Sequence, residues 1–343
     1  MYAPVIEQLA SVSATRGARD LGERLTALGR WVRADLADFE AELAVLPRGA
    51  RLVQQAAHHL LDLRGKHLRP LCVALASRLG SGPQAGFTPR ARALAVAVEL
   101  VHTATLLHDD VVDLADHRRG EPAACVVYGN AASIFAGDWL LVAALRRIAA
   151  ADVPGMLDKM LEVIDEMILA ESLQLERRGK IAADRDEYFK IVEGKTAALF
   201  RWAMLAGARA AELDTTTEAA LVRYGLHLGV AFQAVDDELD FADGTGKDPL
   251  ADLREGKMTF PLVVALEREP HLRGQIADAL SAPDAASLAA IAAAVRGTGA
   301  LAATRRLAEE HAHRALQAID GFTVGPARDA LETVALASLE RTS

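Results

Sequence analysis

An all-α bundle is the fold class this sequence predicts, on three observations. Alanine and leucine dominate a 343-residue chain that is 51% hydrophobic and 5% aromatic. Strictly alternating β-branched runs are absent. Spacings of three and four recur, as in Leu94, Val98, Val101 and Thr105. Taken in order, residues 1–48 are read as an amphipathic helical extension without a usable motif, and residues 49–343 as one large domain, since no Pro/Gly/Ser linker divides them. Breaks are predicted at 80–89, 118–122, 152–155, 179–184, 243–249 and 297–299, where Gly, Pro or Asp supplies caps and turns. Roughly ten helices of about 12 to 28 residues lie between them. The alanine-rich tract from Ala279 to Ala303 reads as close-packed C-terminal helix, and no 20–50-residue repeat points to a solenoid.

Charge narrows the function. Lysine and arginine total 38 against 47 acids, a net charge of −9, which repels a nucleic-acid backbone unless the basic residues cluster. No long apolar run escapes interruption by residues such as Glu99, His102 or Asp138, so no transmembrane span is expected. Cys72 and Cys125 sit in apolar helical contexts suited to a reducing compartment, and MYAPVIEQLA lacks the basic start and apolar core of a signal peptide. The expected location is the cytoplasm.

Two acidic clusters carry the chemistry. LVHTATLLHDDVVDLADHRRG places Asp109 and Asp113 four apart on one helix face with Asp110 beside them, and AFQAVDDELDF repeats the spacing with Asp236, Asp237 and Asp240. Like charges at i and i+4 destabilise an isolated helix by about 0.2 to 0.5 kcal/mol per pair. A single cluster is as readily a solvated acidic face; two identical ones among apolar residues call for an offsetting charge. Mg²⁺ supplies it, because it binds through one or two carboxylates plus waters and substrate phosphate oxygens.

The basic residues suggest what the metals hold. Arg118 and Arg119 follow the first cluster, where guanidinium forks can clamp a phosphate. GKHLRP offers Lys66 and Arg69, on one face if that segment is helical. Lys195, Thr196, Gln233, Lys247 and Lys257 complete the set. Each alone would read as surface solvation; their distribution around the acidic pairs raises them. Gly194-Lys195-Thr196 is no P-loop, because Phe189 stands where the first glycine belongs and no strand precedes it. His58-His59 and the pair His311 and His313 lack zinc-site spacing and read as helix-surface residues, whereas His102 shares a face with Asp109 seven residues on.

The ordered motifs GKHLRP, HTATLLHDDVVDLADHRRG, GKTAALF, AFQAVDDELDF and DLREGKMTFP resemble the trans-isoprenyl diphosphate synthases, the polyprenyl synthetase family, over roughly Val53 to Leu266. The resemblance implies a large all-α bundle around a central cavity with the two acidic motifs facing each other, a homodimer, and head-to-tail transfer of an allylic prenyl group onto isopentenyl diphosphate. By the same resemblance Asp109, Asp113 and Asp236 hold Mg²⁺, three ions per site with Mn²⁺ able to substitute, supported by Asp110, Asp237 and Asp240. Arg118, Lys195 and Lys247 grip the allylic diphosphate, with Lys257 adding to the field; Lys66, Arg69, His102 and Arg119 bind isopentenyl diphosphate; Thr196 and Gln233 point oxygens at the reacting carbons. Three departures are visible: His67 where Arg or Lys is usual, Ala123-Ala124 where Ser or Thr is common, and Ala170 in place of glycine.

Product length is read from the residues before the first motif. Ala104 and Thr105 lie one turn before Asp109, where short-chain relatives carry an aromatic, with Val101 and Val98 beyond them and Ile148 and Met160 as deeper floors. Small side chains there predict an all-trans product of C30 to C50, with geranylgeranyl or farnesyl diphosphate as the alternative. A non-catalytic partner subunit would lose part of an aspartate motif. A terpene cyclase or head-to-head synthase would lack the second motif together with the phosphate grips. Neither loss is present.

Overall fold

The computed structural model describes residue 6 and residues 19–341 apart from 64, 81–85, 243–249 and 282–283. In chain order the helices are α1 (Arg19–Trp31), α2 (Arg33–Ala44), α3 (Leu52–Leu61), α4 (Leu68–Ser77), α5 (Pro89–Val112), α6 (Ala124–Tyr128), α7 (Asn130–Ala151) and α8 (Met156–Arg177). They continue with α9 (Arg185–Val192), α10 (Ala198–Ala210), α11 (Thr215–Leu239), α12 (Ala251–Arg254), α13 (Phe260–Arg268), α14 (Leu272–Ser281), α15 (Ala285–Gly297), α16 (Ala300–Ala318) and α17 (Pro326–Ala337). The all-α expectation holds; among the described residues the β-structure is two short strands, β1 (His117–Arg118) and β2 (Glu121–Pro122). The chain divides into two compact units, one from residues up to 161 with 202–222 and 324–330, the other from 162–201, 223–323 and 331 onward.

The predicted breaks at 118–122, 152–155, 179–184 and 297–299 fall at helix boundaries, while 243–249, and 81–85 of the break at 80–89, lie outside the described residues. The helices are more numerous and shorter than expected. The chain also turns at His67 and Gly129, both at positive φ, which periodicity alone does not register.

In the first unit α5 packs along α7 and against α4. Thr88 caps α5 by accepting from the Ala91 amide at 3.4 Å, and Pro89 takes the first helical position, where its missing N–H costs nothing. Ala95, Val98 and Val101 of α5 are buried, and Ala132, Ala136 and Ala144 on α7 are small enough for close axial approach. The N-terminal helices are tied in by charge. Arg78 at the end of α4 donates from Nε to Asp35 Oδ2 at 2.5 Å and from Nη2 to Oδ1 at 2.7 Å, while its guanidinium lies 4.8 Å from the Trp31 ring centre. Asp35 is only 6% exposed, so Asp35→Ala leaves a guanidinium partly desolvated and unpaired. We expect a loss of ~3 kcal/mol in urea unfolding, against less than ~1 kcal/mol for the exposed pair Arg48–Asp62.

The second unit is built on α11 and the α13–α16 pair. Its core joins Tyr188 and Val192 of α9 to Val230 and Val235 of α11, Leu262 and Leu266 of α13 and Ile291 of α15. Between α9 and α10 a π-helical turn, Glu193–Ala197, widens the helix by one residue. Gly229 permits α11 to approach it: a Cβ there would lie 2.5 Å from Ala197 Cα. No single helix among the described residues is long and apolar enough to cross a membrane.

Candidate active site

The first acidic motif closes α5. Asp113 caps the helix, its amide donating to Asp109 O at 2.8 Å, and Asp109 and Asp113 are half-buried while Asp110 is fully buried. Arg118 meets Asp110 because the chain turns back through β1 and β2, which pair His117 with Pro122 and Arg118 with Glu121. Arg119 and Gly120 both have positive φ (54° and 84°), the two-residue turn that matches strand twist. Arg118 Nε then donates to Asp110 Oδ1 at 2.7 Å. Burial raises the Asp110 carboxyl above its usual range against the pull of Arg118, and its Oδ2 is buried with no hydrogen-bond partner.

Behind the motif lies a compact set of basic groups. The helix carrying Arg69 begins at Leu68, and His67 before it is left-handed (φ 42°), so Lys66 and Arg69 do not share a helical face; the condition set for that pairing is not met. Instead His67 Nδ1 lies 2.8 Å from Glu99 Oε1 on α5, with Phe39 packed edge-on against its ring. Burial alone would raise Glu99, but His67 overrides it and holds the carboxyl at about 2. Burial, then the Arg69 charge, hold His102 well below its usual range, so it is neutral near pH 7. Arg119 donates from Nη1 to Leu63 O at 3.0 Å, against the Gly65-His67 segment, where a Cβ on Gly65 would lie 3.2 Å from the guanidinium.

The second motif closes α11, and its three aspartates have separate surroundings. Asp236 is half-buried and its Oδ1 accepts from Arg341 Nη2 at 2.7 Å; Arg341 also lies over the Phe232 ring at 3.7 Å. Asp237 is 1% exposed and accepts from Tyr188 Oη at 2.8 Å, Gln233 Nε2 at 2.9 Å and the Phe260 amide at 3.2 Å. Burial and then the Asp252 carboxylate push it up to about 7 against those donors. Asp240 Oδ1 accepts from the Ala251 amide at 3.0 Å and its carbonyl from the Leu250 amide, so it pins the start of α12. Thr196, in the π-helical turn, donates to Gln233 Oε1 at 2.8 Å, and Lys195 beside it pairs with Glu171 and donates to Gln174 at 3.1 Å. Lys257 meets Glu255 at 2.5 Å. Burial raises the Asp252 carboxyl above its usual range against the pull of Lys257. Lys195, Thr196, Gln233, Asp237, Asp252 and Lys257 line one cavity of about 120 Å³. Lys247 lies outside the described residues.

Among the described residues no three carboxylate, imidazole or thiol groups converge as a ready-made metal cage. Half-buried aspartates and an orphaned carboxylate oxygen on Asp110 suit Mg²⁺, which takes one or two protein oxygens and completes its shell with water and phosphate. Residues 50–297 match the family profile described as polyprenyl synthetase. The chain belongs to that family. It is therefore a trans-prenyltransferase. An octaprenyl diphosphate synthase of Escherichia coli is 34% identical over 314 residues, covering 90% of this chain and 96% of its own. The heptaprenyl diphosphate synthase component 2 of Geobacillus stearothermophilus is 32% identical over 323 residues, covering 91% and 98%. A crystal structure of a Caulobacter crescentus polyprenyl synthase complexed with calcium and isoprenyl diphosphate superposes with a TM-score of 0.87 at 35% identity, covering 92% of this chain and 97% of that one. The polyprenyl synthetase family is generally magnesium-dependent.

The residues expected to set product length in a polyprenyl synthetase differ in burial. Val101, Ala104, Ile148 and Met160 are buried, while Thr105 is half-buried with its hydroxyl donated to His102 O at 2.8 Å. Two expectations are corrected. His58 and His311 are buried rather than on the helix surface: His58 Nε2 lies 3.2 Å from Pro47 O, and His311 Nδ1 lies 3.3 Å from His227 Nδ1. Unrecognised in the sequence were Tyr188, Glu99 and Arg341, whose partners lie far along the chain, and Asp252, which Lys257 faces from close by.

Proposed function

We propose that the chain is a long-chain all-trans polyprenyl diphosphate synthase making C30 to C50 products from an allylic diphosphate and isopentenyl diphosphate. The observation that carries this reading is that both Asp-Asp-x-x-Asp motifs are complete, each ending a long helix with its first aspartate half-buried beside a guanidinium-bearing segment. The octaprenyl and heptaprenyl relatives support the product class.

Asp109, Asp113 and Asp236 are the carboxylates that would hold magnesium, three ions per site, with Mn²⁺ as substitute. When bound, the metal neutralises the diphosphate and favours ionisation of the allylic C–O bond. Asp110 holds Arg118, and Arg118, Lys195, Lys247 and Lys257 stabilise the charge developing on the leaving group. Lys66, Arg69 and Arg119 bind the acceptor diphosphate, with neutral His102 donating one hydrogen bond. Thr196 and Gln233 face the allylic cation with oxygens. The chemistry requires that water be excluded, because it would quench the cation. After C–C bond formation the proton passes to the departed diphosphate, so no separate general base is required.

The working enzyme is a cytoplasmic homodimer in this reading, a state supported by Ile134, Phe135 and Val142, large apolar side chains left exposed on α7. A heteromer is the second reading, favoured by the relative named as a component 2. Incubation of the purified chain alone with labelled isopentenyl diphosphate, farnesyl diphosphate and Mg²⁺, followed by chromatography, tests both: products beyond C20 support the proposal, and no turnover without a second polypeptide overturns it. Lys66→Ala and Arg69→Ala raise KM for isopentenyl diphosphate by ~10-fold or more while the allylic KM changes little. A rise confined to the allylic KM reverses the two phosphate assignments.

A further inference from the structure

Asp237 differs from a metal-holding carboxylate in one respect: the protein already engages both of its oxygens. Oδ2 accepts from Tyr188 Oη at 2.8 Å and from the Phe260 amide at 3.2 Å, and Oδ1 accepts from Gln233 Nε2 at 2.9 Å. Asp237 is 1% exposed and Tyr188 5%. The Tyr188 ring is held in turn by Phe189 and Phe260, with ring centres 5.4 and 5.1 Å away.

With Oδ2 taken by two donors, the ionised Asp237 offers Gln233 only an acceptor at Oδ1, and so dictates which end of the amide faces it. With Nε2 committed to Asp237, Oε1 faces Thr196 and accepts its hydroxyl hydrogen at 2.8 Å. The hydrogens therefore run one way, from Thr196 to Gln233 and from Gln233 to Asp237, with Tyr188 closing the far side. The consequence falls on Thr196: its hydrogen is spent on Gln233, so the oxygen lone pairs remain for the cavity that Thr196, Gln233 and Asp237 line together. That is the polarity needed beside a developing allyl cation. A reversed Gln233 would turn the hydroxyl hydrogen outward and weaken it.

We infer that Tyr188 and Asp237 are positioning residues that set the direction of the Thr196 hydroxyl through Gln233, and that Asp237 acts through this relay rather than as a magnesium ligand. The inference rests on the proposed prenyl transfer at this cavity. It assigns the two neighbouring aspartates different work: Asp236 faces the metal, and Asp237 faces the protein.

The test is Asp237→Asn. An asparagine whose carbonyl keeps Tyr188 and Phe260 as donors must point its NH₂ at Gln233, so the Gln233 amide turns over and offers NH₂ to Thr196. Expected are a fall in kcat of about 10²-fold, the size seen on losing one preorganised dipole at a developing charge, and an unchanged KM for both diphosphates. The Mg²⁺-dependent Kd for inorganic diphosphate, measured by calorimetry, should stay at the wild-type value. The double variant Gln233→Glu with Asp237→Asn restores an acceptor for the Thr196 hydrogen and should recover most of kcat. Tyr188→Phe, which keeps the ring packing, should lower kcat in the same direction without changing that Kd. Loss of Mg²⁺–diphosphate affinity in Asp237→Asn, or no recovery in the double variant, overturns the inference. A wild-type chain that binds Mg²⁺–diphosphate yet forms no prenyl product from any allylic primer instead overturns the proposed function, so the two failures are distinguishable.

Discussion

Asp109→Ala lowers turnover by ~10³-fold or more at saturating substrates while the helical circular dichroism stays that of the wild type, because the side chain lost is one that would hold the metal ions on the leaving group. Asp109 is half-buried at the end of α5, and its backbone carbonyl, which caps the helix by accepting from Asp113, survives the substitution. Asp236→Ala should be as inactive but less stable. It removes the carboxylate that accepts from the Arg341 guanidinium, which is 4% exposed, and breaking an ion pair at that depth costs ~3 kcal/mol or more. Asp236→Asn separates the two effects: it keeps an oxygen for Arg341 at 2.7 Å but removes the negative charge a magnesium ion requires. We expect a near-normal melting temperature with turnover as low as that of Asp109→Ala. Chelation of divalent cations should silence the wild type, and Mn²⁺ should restore it. Near-normal turnover in Asp109→Ala or Asp236→Asn overturns the metal assignment.

What the sequence made legible divides by the range of the forces involved. Breaks such as 152–155 and 179–184 were readable because Gly and Asp act on the backbone where they stand, and Asp184 does cap α9 by accepting from the Glu187 amide at 3.0 Å. The aspartates were readable because i, i+4 spacing puts them on one face whatever surrounds the helix. The hairpin that turns Arg118 back onto Asp110 was not, because Arg119 adopts a positive φ that arginine rarely takes unaided. The π-helical turn at Glu193–Ala197 has no local signature; α11 packs so closely on it at Gly229 that a Cβ there would lie 2.5 Å from Ala197 Cα. Arg341 and Asp236 stand 105 residues apart, and Tyr188 and Asp237 stand 49 apart. No pattern within one helix announces such pairs. The same holds for His67, which departs from the family's usual Arg or Lys yet keeps a basic group against buried Glu99.

Thr105→Tyr shortens the product to about C15 to C20 without abolishing condensation, since an added ring blocks the path of the growing tail and leaves the aspartates in place. The two positions one turn before the first motif differ in a way that periodicity did not separate. Ala104 is 2% exposed and packed into the core of its unit, so a phenylalanine there must displace neighbours at a cost of ~1 to 3 kcal/mol before it can shorten anything. Thr105 is half-buried, four residues and so one turn from Asp109, and its hydroxyl is satisfied locally by His102 O at 2.8 Å. A larger side chain there starts from a half-buried position rather than from a fully packed one. In the proposed reading the charged groups would hold the diphosphate end of the substrate and each condensation would push the tail five carbons further, so the first ring it meets would set the length. Chromatography of products should therefore show a shift to short chains with kcat for the first condensation preserved. Ala104→Phe should show a lowered melting temperature together with any shortening. An unchanged product distribution in Thr105→Tyr places the tail along another face of α5, and a wild-type enzyme that stops at C15 with saturating isopentenyl diphosphate shows that a different residue already blocks the path.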